Sequence, residues 1–396
     1  MWTDRIFASL VGRVYFVLVQ CAALLGHLKA RAFCAMRRHP GPDGPFDLWV
    51  HCSSLGEFET ARPLLKFYSE KNPGHSLLVT FFSPSGFDAV QVQSDTLFIT
   101  ALPWDIPSSV EQFIQKARPK KAVFIQYDLW PALIQGLDAH KIPWGVAFYK
   151  HTKKGGYFHR MLQKAHFVST QTKEDEFLLR SFLPEDKVVC VGDGRFDNVL
   201  RRSQAIPSFP AAWDSFHDLS GYGVFGSVWP DDAPLILPLL ARFSHLKWIM
   251  APHDVSEKNL TFWEAKIPMP CVRFSKLSAE TAPAKVILLD TVGHLFDLYS
   301  AAQFAYIGGG VHQKLHNILE PLAWNVPTAF ASSGETNHWE ALAAVAYGCA
   351  ASVSTPLELA RQVADWETER PRAVDFVQEH TGATERLMRL VESLQG

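Results

Sequence analysis

The sequence lacks the short motifs that mark several large enzyme classes. It has no H-E-x-x-H, no G-x-S-x-G and no G-K-[ST] segment, so the usual signatures of zinc hydrolases, serine hydrolases and P-loop proteins are absent. Its 16 histidines do not cluster with metal-ligand spacing. We therefore predict neither a metal site nor a bound cofactor.

Cysteine pairs and an excess of one charge are also missing. The 6 cysteines are scattered without a C-x-x-C pair, which is typical of reduced thiols in the cytoplasm and offers no zinc framework. A formal net charge of -2 provides no overall basic field for a phosphate backbone, so we predict no nucleic-acid partner. The chain of 396 residues has 47% hydrophobic residues, and this length and composition are those of a globular protein with two domains.

One long apolar run lies near the N-terminus, at residues 6–28. As a helix it would be about 35 Å long, which is enough to cross a bilayer. The basic residues Lys29, Arg31, Arg37 and Arg38 follow it and would keep that flank in the cytoplasm. We predict a membrane anchor at residues 1–40 that either spans the membrane or only embeds in it. A cleaved signal peptide and a plain buried helix are the alternatives.

After a breaker cluster at residues 40–45, short apolar runs alternate with helical segments. This alternation predicts βαβ units and parallel sheets. The predicted strands are 47–53, 76–82, 121–127, 144–148, 167–170, 188–193, 222–228, 246–251, 286–290, 304–307, 328–331 and 349–353. Residues 201–219 contain prolines and show no clear period, and they separate the first six predicted strands from the last six. We predict two doubly wound, Rossmann-like α/β domains, at residues 46–203 and 219–396.

In the first domain, the strand at 47–53 ends in a Ser/Gly turn that contains Ser54, Gly56 and Glu57. Open α/β sheets bind ligands at the carboxyl ends of their strands, so Glu57 is a candidate for catalysis or ligand binding. Ser54-x-x-Glu57 is also a capping box, in which the carboxylate would bond to a backbone amide. The spacing alone favours neither role.

Two more strand ends of this domain carry polar groups. Ser83, Ser85 and Gly86 follow one strand and offer amides and hydroxyls suited to a phosphate or carboxylate, although turn formation explains them equally well. Asp128 follows another strand. It is either a helix cap or a second acid near Glu57.

In the second domain, a strand ends in Gly308, Gly309 and Gly310, which would let a ligand approach the backbone closely. These glycines do not have the G-x-G-x-x-G spacing of a dinucleotide site. Asn317 and Glu320 follow as an N-cap and N3 pair, or alternatively Glu320 accepts hydrogen bonds from ribose hydroxyls.

Two neighbouring strands of that domain end at Ser227 and at Pro252-His253. These ends lie at the same edge of the predicted sheet as the glycines. An isolated histidine such as His253 is usually structural, so its position is a weak indication of function by itself.

The order of these motifs resembles the 3-deoxy-D-manno-octulosonic acid (Kdo) transferase family of lipopolysaccharide assembly. The matching segments are His51–Glu57, Thr80–Gly86, Leu102–Asp105, Asp128–Pro131, Gly192–Asp197, Gly226–Ser227, Ala251–His253, Asp290–Gly293, Gly308–Gly310 and His316–Pro321. Many motifs in one order make the resemblance specific.

The resemblance implies a two-lobed glycosyltransferase of the GT-B type that transfers Kdo from CMP-Kdo to a lipid A precursor, lipid IVA, with inversion and without a metal. It places the catalytic domains on the cytoplasmic side of the inner membrane and gives Glu57 the role of general base, with Asp128 as a second acid. The implied donor site, on the C-terminal lobe, comprises Ser227, Pro252, His253, Gly308, Gly309, Gly310, His316, Asn317 and Glu320. The implied acceptor or anion site, on the N-terminal lobe, comprises Ser54, Gly56, Ser83, Ser85 and Gly86.

The chain departs from the family pattern at three places. Where members commonly have E-T-E-L-W-P-N, this chain has Gln126, Asp128 and Ala132; residues 312–315 replace glycines, and His253 replaces an arginine. Two alternatives therefore stay open. One is a two-lobed glycosyltransferase with another nucleotide-sugar donor, and the other is a non-catalytic, membrane-tethered binding protein on this fold.

Overall fold

The computed structural model describes residues 2–39, 41–90, 96–150, 156–207, 209, 221–278, 284–309, 311, 315–332 and 338–395. The chain divides into two compact units. The first comprises residues 1–198 together with 381–396, and the second comprises residues 199–380.

The first unit contains a parallel sheet with the strand order β3-β2-β1-β4-β5-β6-β7. Its strands are β1 (Leu48–Cys52), β2 (Leu77–Phe81), β3 (Leu97–Ala101), β4 (Ala122–Ile125), β5 (Trp144–Tyr149), β6 (Val168–Thr170) and β7 (Val188–Cys190). Six of them were predicted, whereas β3 was missed. The strand order reverses between β1 and β4, and such a reversal is where an open α/β sheet binds its ligands.

The second unit contains a parallel sheet with the order β10-β11-β9-β8-β12-β13-β14. Its strands are β8 (Tyr222–Val228), β9 (Lys247–Pro252), β10 (Cys271–Arg273), β11 (Val286–Leu288), β12 (Ala302–Ile307), β13 (Thr328–Ala331) and β14 (Ala350–Val353). Here the missed strand is β10, and the reversal lies between β8 and β12. The predicted α/β class with two parallel sheets is thus confirmed.

Helices connect the strands in both units. Those from the N-terminus to the unit boundary are α1 (Trp2–Leu24), α2 (Leu28–Met36), α3 (Leu55–Lys71), α4 (Pro84–Ala89), α5 (Pro107–Ala117), α6 (Pro131–Ala139), α7 (Gly156–Leu162), α8 (Lys173–Leu179) and α9 (Gly194–Ser203). Those that follow are α10 (Ala233–Arg242), α11 (Glu257–Lys266), α12 (Leu295–Leu298), α13 (Leu319–Ala323), α14 (Trp339–Tyr347), α15 (Pro356–Thr368), α16 (Ala373–Glu379) and α17 (Ala383–Ser393). Single 3-10 turns lie at Glu185–Lys187, Pro230–Asp232, Phe274–Lys276 and Tyr299–Ala301.

The last helix belongs to the first unit, which corrects the predicted domain of residues 219–396. Leu387, Met388 and Val391 of α17 are buried in the hydrophobic core that β1 and β2 share. Asp197 accepts hydrogen bonds from the amides of Gly382 (2.6 Å) and Thr384 (2.7 Å). These sequence-distant contacts set the boundaries at 198/199 and 380/381, not within the predicted linker 201–219. Residues 208 and 210–219 of that linker lie outside the described residues.

The predicted anchor forms α1 and α2, but no helix in the described part of the chain is long and apolar enough to cross a membrane. One face of α1 packs on the first unit: the ring of Tyr15 lies 5.7 Å from that of Trp130 and 6.1 Å from that of Phe33, measured between centroids. Leu18 and Leu24, by contrast, are exposed. Helix α1 therefore has one apolar face that packs against the first unit and another apolar face that is exposed.

Candidate active site

Two acids follow the two strands at which the first sheet reverses. Glu57 lies in the first turn of α3, directly after β1, and Asp128 lies in the segment between β4 and α6. The strands β1 and β4 are hydrogen-bonded neighbours. The predicted pair of acids thus lies at the edge of the sheet that parallel α/β folds use for binding.

Glu57 makes a capping contact and is buried. Its Oε2 accepts a hydrogen bond from the Ser53 amide (2.5 Å) and its Oε1 accepts one from Ser53 Oγ (2.6 Å). Ser54 is the N-cap of α3 as predicted, since its Oγ accepts from the Glu57 amide (3.5 Å). In a standard capping box the carboxylate would accept from the amide of the N-cap residue, Ser54. Here it accepts from the amide of Ser53, one residue earlier.

Burial raises the pKa of Glu57 above its ordinary value, although the two hydrogen bonds from Ser53 and the nearby His51 act to lower it. The negative charge of Asp128 raises the pKa of Glu57 further, because it disfavours a second negative charge nearby. A carboxylate with a raised pKa is a stronger base than an exposed one, which suits proton abstraction. The contacts of Glu57 are therefore compatible with both of the roles that the sequence left open.

Asp128 is bonded to His51, which lies in the motif His51–Glu57 but was not a predicted site residue. His51 Nε2 lies 2.9 Å from Asp128 Oδ2, and the His51 side chain is almost completely buried. The other ring nitrogen, Nδ1, lies 2.9 Å from Thr80 Oγ1, which accepts a hydrogen bond from Trp49 Nε1 (2.8 Å). The four side chains form one continuous hydrogen-bond chain.

For the neutral form of the His51 ring, the hydrogen-bond partners define the tautomer. A carboxylate oxygen only accepts, so His51 Nε2 carries the proton that it donates to Asp128. Nδ1 then accepts the hydroxyl proton of Thr80, whose oxygen is already the acceptor for Trp49. Every donor in the chain has an acceptor, and this arrangement orients the Asp128 carboxylate from inside the protein. The first residue of the H-x-S-S-x-G-E segment is the sequence signal that could have identified this histidine.

The remaining predicted site residues of the first unit lie in the turns and helix starts that follow β1 and β2. The Ser83 amide donates to the Ser53 carbonyl (3.0 Å), and Ser83 is the N-cap of α4. A Cβ on Gly86 would lie 2.5 Å from the Phe81 ring, so packing requires glycine there. Gly56 lies in the first turn of α3, and Ser85 lies within α4, where its side chain is outside the described parts of the chain.

In the second unit, the glycines after β12 pack against the end of β8. A Cβ on Gly308 would lie 2.6 Å from the Ser227 carbonyl oxygen, which explains this glycine without a ligand. Gly309 has a φ of +98°, in the region that favours glycine. Ser227 also has a positive φ, +53°, which is strained for a residue with a side chain. Gly310 and the departure at 312–314 lie outside the described residues.

Asp232, which the sequence analysis did not single out, connects these two strand ends. Its Oδ2 accepts from the Trp229 amide (2.8 Å) and the Gly309 amide (3.4 Å), and its Oδ1 accepts from the Tyr306 hydroxyl (2.8 Å). Burial raises the pKa of Asp232, while these hydrogen bonds act to lower it. Its position in the Trp229–Asp232 turn, just after a predicted strand, was the available signal.

Three rings stack at the ends of β8, β9 and the loop after β12. The His253 ring lies 4.5 Å from that of Trp229 and 4.3 Å from that of His316, between centroids. Trp229 Nε1 donates to His316 Nε2 (3.1 Å). Burial lowers the pKa of His316 to about 4, with a further contribution from His253, and burial also lowers the pKa of His253. His253 is thus part of a neutral, stacked cluster, next to Pro252 at the end of β9.

Asn317 and Glu320 flank the start of α13, whose N-cap is Ile318 rather than the predicted Asn317. Asn317 Oδ1 instead accepts from the Leu319 amide (3.1 Å), two residues on. Glu320 Oε1 accepts a hydrogen bond from Arg202 Nη1 (3.3 Å), so this candidate ribose ligand carries an ion pair within the second unit.

Among the residues that the structure describes, no group of three or more His, Cys, Asp or Glu side chains could bind a metal ion. Metal-independent chemistry remains a prediction.

The N-terminal half of the chain matches a known sequence family. Residues 25–198 match the family described as 3-Deoxy-D-manno-octulosonic-acid transferase (kdotransferase). Longer alignments exist with proteins named 3-deoxy-D-manno-octulosonic acid transferase. The protein from Aquifex aeolicus is 28% identical over 72% of this chain and 75% of its own length, and that from Haemophilus influenzae is 27% identical over 73% and 70%.

Several solved structures share the fold of this chain. A putative UDP-N-acetylglucosamine 2-epimerase from Listeria monocytogenes has a TM-score of 0.62 at 10% identity and covers 88% of this chain and 96% of its own. The glycotransferase of kitacinnamycin has a TM-score of 0.55 at 15% identity, covering 90% of this chain and 100% of its own. At these identities the likeness concerns the fold alone, and that fold is the predicted two-domain GT-B type.

The family match in the first unit and the long alignments agree with the order of motifs in the sequence. The chain is therefore similar, over nearly three quarters of its length, to glycosyltransferases named 3-deoxy-D-manno-octulosonic acid transferase.

Proposed function

We propose that this protein transfers Kdo from CMP-Kdo to a lipid A precursor, lipid IVA, in lipopolysaccharide core biosynthesis, with inversion and without a metal. The observation that carries the proposal is the buried Glu57 carboxylate with its raised pKa, at the strand end of the segment that matches the Kdo transferases. The names of the aligned relatives support the transferred sugar.

In the proposed reaction, Glu57 takes the proton of an acceptor hydroxyl as the hydroxyl oxygen attacks the anomeric carbon of Kdo. The bond from that carbon to the phosphate oxygen breaks, and CMP leaves with the bonding electrons. A hydroxyl is a poor nucleophile until its proton is removed, so a base within hydrogen-bond reach accelerates the step. Asp128, oriented by His51, supplies a second negative charge near the same base.

The donor would bind to the second unit. The stack of Trp229, His253 and His316 offers aromatic faces and neutral imidazoles at the ends of β8 and β9. Gly309 provides backbone near the same edge, next to Asp232. In this proposal, Asn317 and Glu320 contact the nucleotide. Glu320 does so while it also forms its ion pair with Arg202.

We also propose that the protein attaches to the cytoplasmic face of the inner membrane through the exposed side of α1. Leu10, Val14, Val17 and Leu18 are exposed, and their spacing places them on one helix face. Arg31 and Arg38, both exposed, follow in and after α2 and would favour anionic lipid. This arrangement embeds a helix in one leaflet and does not require it to span the bilayer.

The transfer reaction is tested with the purified full-length chain, labelled CMP-Kdo and lipid IVA, by product mass and release of CMP. We expect one or more Kdo residues on the lipid, and about 10²–10⁴-fold slower transfer by Glu57→Gln, because glutamine fits the space but takes no proton. Glu70→Gln, an exposed carboxylate on the same helix, is the matched control.

The same assay separates the alternatives. Turnover of another nucleotide sugar, with none of CMP-Kdo, would identify a different glycosyltransferase. Binding of CMP without turnover of any donor would identify a non-catalytic protein.

Membrane attachment is tested by flotation with vesicles that contain an anionic lipid. We expect Val14→Asp combined with Leu18→Asp to abolish flotation, because charged side chains do not enter the bilayer. Phe177→Asp, an exposed apolar residue on α8, is the control and should float unchanged. Equal flotation of all three proteins would reject this face as the attachment site.

A further inference from the structure

A cavity of about 180 Å³ lies in the first unit, outside the residues proposed for catalysis. The end of α2 and the following segment contribute Arg37 and His39, the end of β3 contributes Thr100, and one face of α5 contributes Ser109, Gln112 and Lys116. One water occupies about 30 Å³. The cavity is therefore large enough for a phosphate group and part of its ester.

The charged side chains that line the cavity, Arg37 and Lys116, are both positive. Arg37, His39 and Lys116 line it, and none of its lining residues is Asp or Glu. Asp105, which directly follows the lining residue Trp104, is directed to α6, where its carboxylate accepts hydrogen bonds from the amides of Ala132 (3.2 Å) and Leu133 (2.9 Å). No lining residue therefore supplies a negative charge inside the cavity.

Arg37 has the best-defined contacts of these lining residues. Its guanidinium carbon lies 3.7 Å from the ring centroid of Phe33 and 4.9 Å from that of Trp104. Its terminal nitrogens donate to the carbonyls of Phe33 and Phe82, both at 3.2 Å. Its Nε is buried without an acceptor, and no carboxylate among the described residues forms an ion pair with it. Asp128, which acts on it electrostatically, bonds to His51.

Arg37 is thus a charged side chain with no ion-pair partner among the described residues. Burial lowers the pKa of Arg37 to about 10, so it stays charged at neutral pH while it has lost part of its hydration. Aromatic faces and carbonyl dipoles compensate only partly for that loss. Guanidinium and ammonium groups around a small cavity are the chemistry that recognises phosphate.

We propose that this cavity binds a phosphate monoester, with Arg37 as the principal ligand, Lys116 as a second cation and His39 as a further polar contact. A lipid headgroup and a soluble metabolite can both present that group. The attribution of the phosphate to a lipid rests on the proposed function, since α2 connects the cavity to the face of α1 proposed to meet the membrane. Binding itself does not depend on transferase activity.

The test measures binding of glycerol 1-phosphate to the full-length chain by calorimetry, and binding to phosphatidylcholine vesicles with added phosphatidic acid. We expect Arg37→Lys, which keeps the charge but loses the planar fork, and Lys116→Glu to weaken monoester binding by about tenfold or more. Lys258→Glu, an exposed lysine of the second unit, makes the same charge change and should bind like the parent. Gln112→Arg adds a cation to the lining and should tighten binding.

Lys116 is exposed, so its substitution tests the cavity even where Arg37→Lys fails to fold. Sensitivity to Lys116→Glu on phosphatidic acid vesicles assigns the phosphate to a lipid, and sensitivity with glycerol 1-phosphate alone assigns it to a soluble ester. Absence of saturable binding to either would overturn the proposal, as would equal weakening by Lys258→Glu. Phosphatidylglycerol vesicles, which present a diester, must bind less well than phosphatidic acid.

Assays of Kdo transfer on the same preparations separate the two proposals. Monoester binding without transfer rejects the proposed function and leaves the cavity assignment in place. Transfer without monoester binding rejects the cavity assignment alone.

Discussion

Ser53 and Ser54 make different contacts with Glu57, and this difference allows the carboxylate to be examined separately from the helix start. Ser53 Oγ donates to the carboxylate, whereas Ser54 Oγ accepts from the Glu57 amide. A hydrogen bond to the ionised form lowers a carboxyl pKa, and a cap on the backbone stabilises the helix. One serine therefore affects the base and the other the fold.

The pH dependence of transfer should reflect the raised pKa of Glu57. A base is active only when deprotonated, so the rate should fall as the pH drops, with an acid limb above the ordinary glutamate value of about 4.3. Ser53→Ala removes a bond that lowers this pKa and should move the limb to higher pH. Rate profiles of the parent and Ser53→Ala measure the shift. Ser54→Ala is the control; a limb that moved equally with it would contradict the assignment.

The pair of His51 and Asp128 leads to a second residue-scale prediction. His51→Leu leaves the Thr80 hydroxyl and the Asp128 carboxylate without their buried partner, which should cost about 1–3 kcal/mol of folding stability. Denaturant unfolding measures that loss, and a transfer assay should show a slower rate. Asp128→Asn should then add little in the His51→Leu background, since both changes break one contact. Full additivity of the two substitutions would mean that the contact does not matter to the activity.

At the scale of elements, Asp105 shows how a buried acid begins a helix. Its carboxylate accepts from two amides of the first turn of α6, and α6 has no side-chain cap of its own at Trp130. Burial raises the pKa of Asp105 to about 6, against the opposing effect of these two hydrogen bonds. A group with a raised folded pKa stabilises the fold below its unfolded pKa and loses that contribution as the pH rises through the folded pKa.

Asp105→Asn tests that sign. The substitution removes the titration, so the stability of the variant relative to the parent should improve by about 1 kcal/mol between pH 5 and pH 7.5. Urea unfolding at the two pH values gives the difference. Asp138→Asn, in an ion pair with Lys164 at the surface, is the control and should show no such gain. A difference of the opposite sign would mean that Asp105 is stabilised as the anion.

The strands that the sequence failed to reveal share a position. Both β3 and β10 are edge strands, each paired with one neighbour only. The residues of β10 and the first residues of β3 are only partly buried. An edge strand needs less apolar surface than a central one, so its sequence pattern is weaker. The central strands, buried on both faces, were all identified.

At the scale of the whole molecule, the chain returns to its first unit through α17. Leu387 is completely buried there, and Leu387→Ala should lower the stability of the first unit by about 2–5 kcal/mol. Tryptophan fluorescence during urea unfolding should show an earlier transition, while a later one remains. Leu240→Ala, buried in the core of the second unit, should shift the other transition. A shift of the same transition by both would contradict the division into two units.

The sequence by itself determined the class of the fold, the central strands, and the strand ends at which Glu57, Asp128 and Gly309 lie. These features depend on hydrophobic periodicity and turn residues, which are local along the chain. Only the tertiary structure decided that α17 joins the first unit, that Asp128 pairs with His51, that His253 stacks on His316, and that the buried Nε of Arg37 has no acceptor among the described residues. Those features are contacts between residues far apart in the chain, and the energy of such contacts comes from burial and geometry that no local pattern contains.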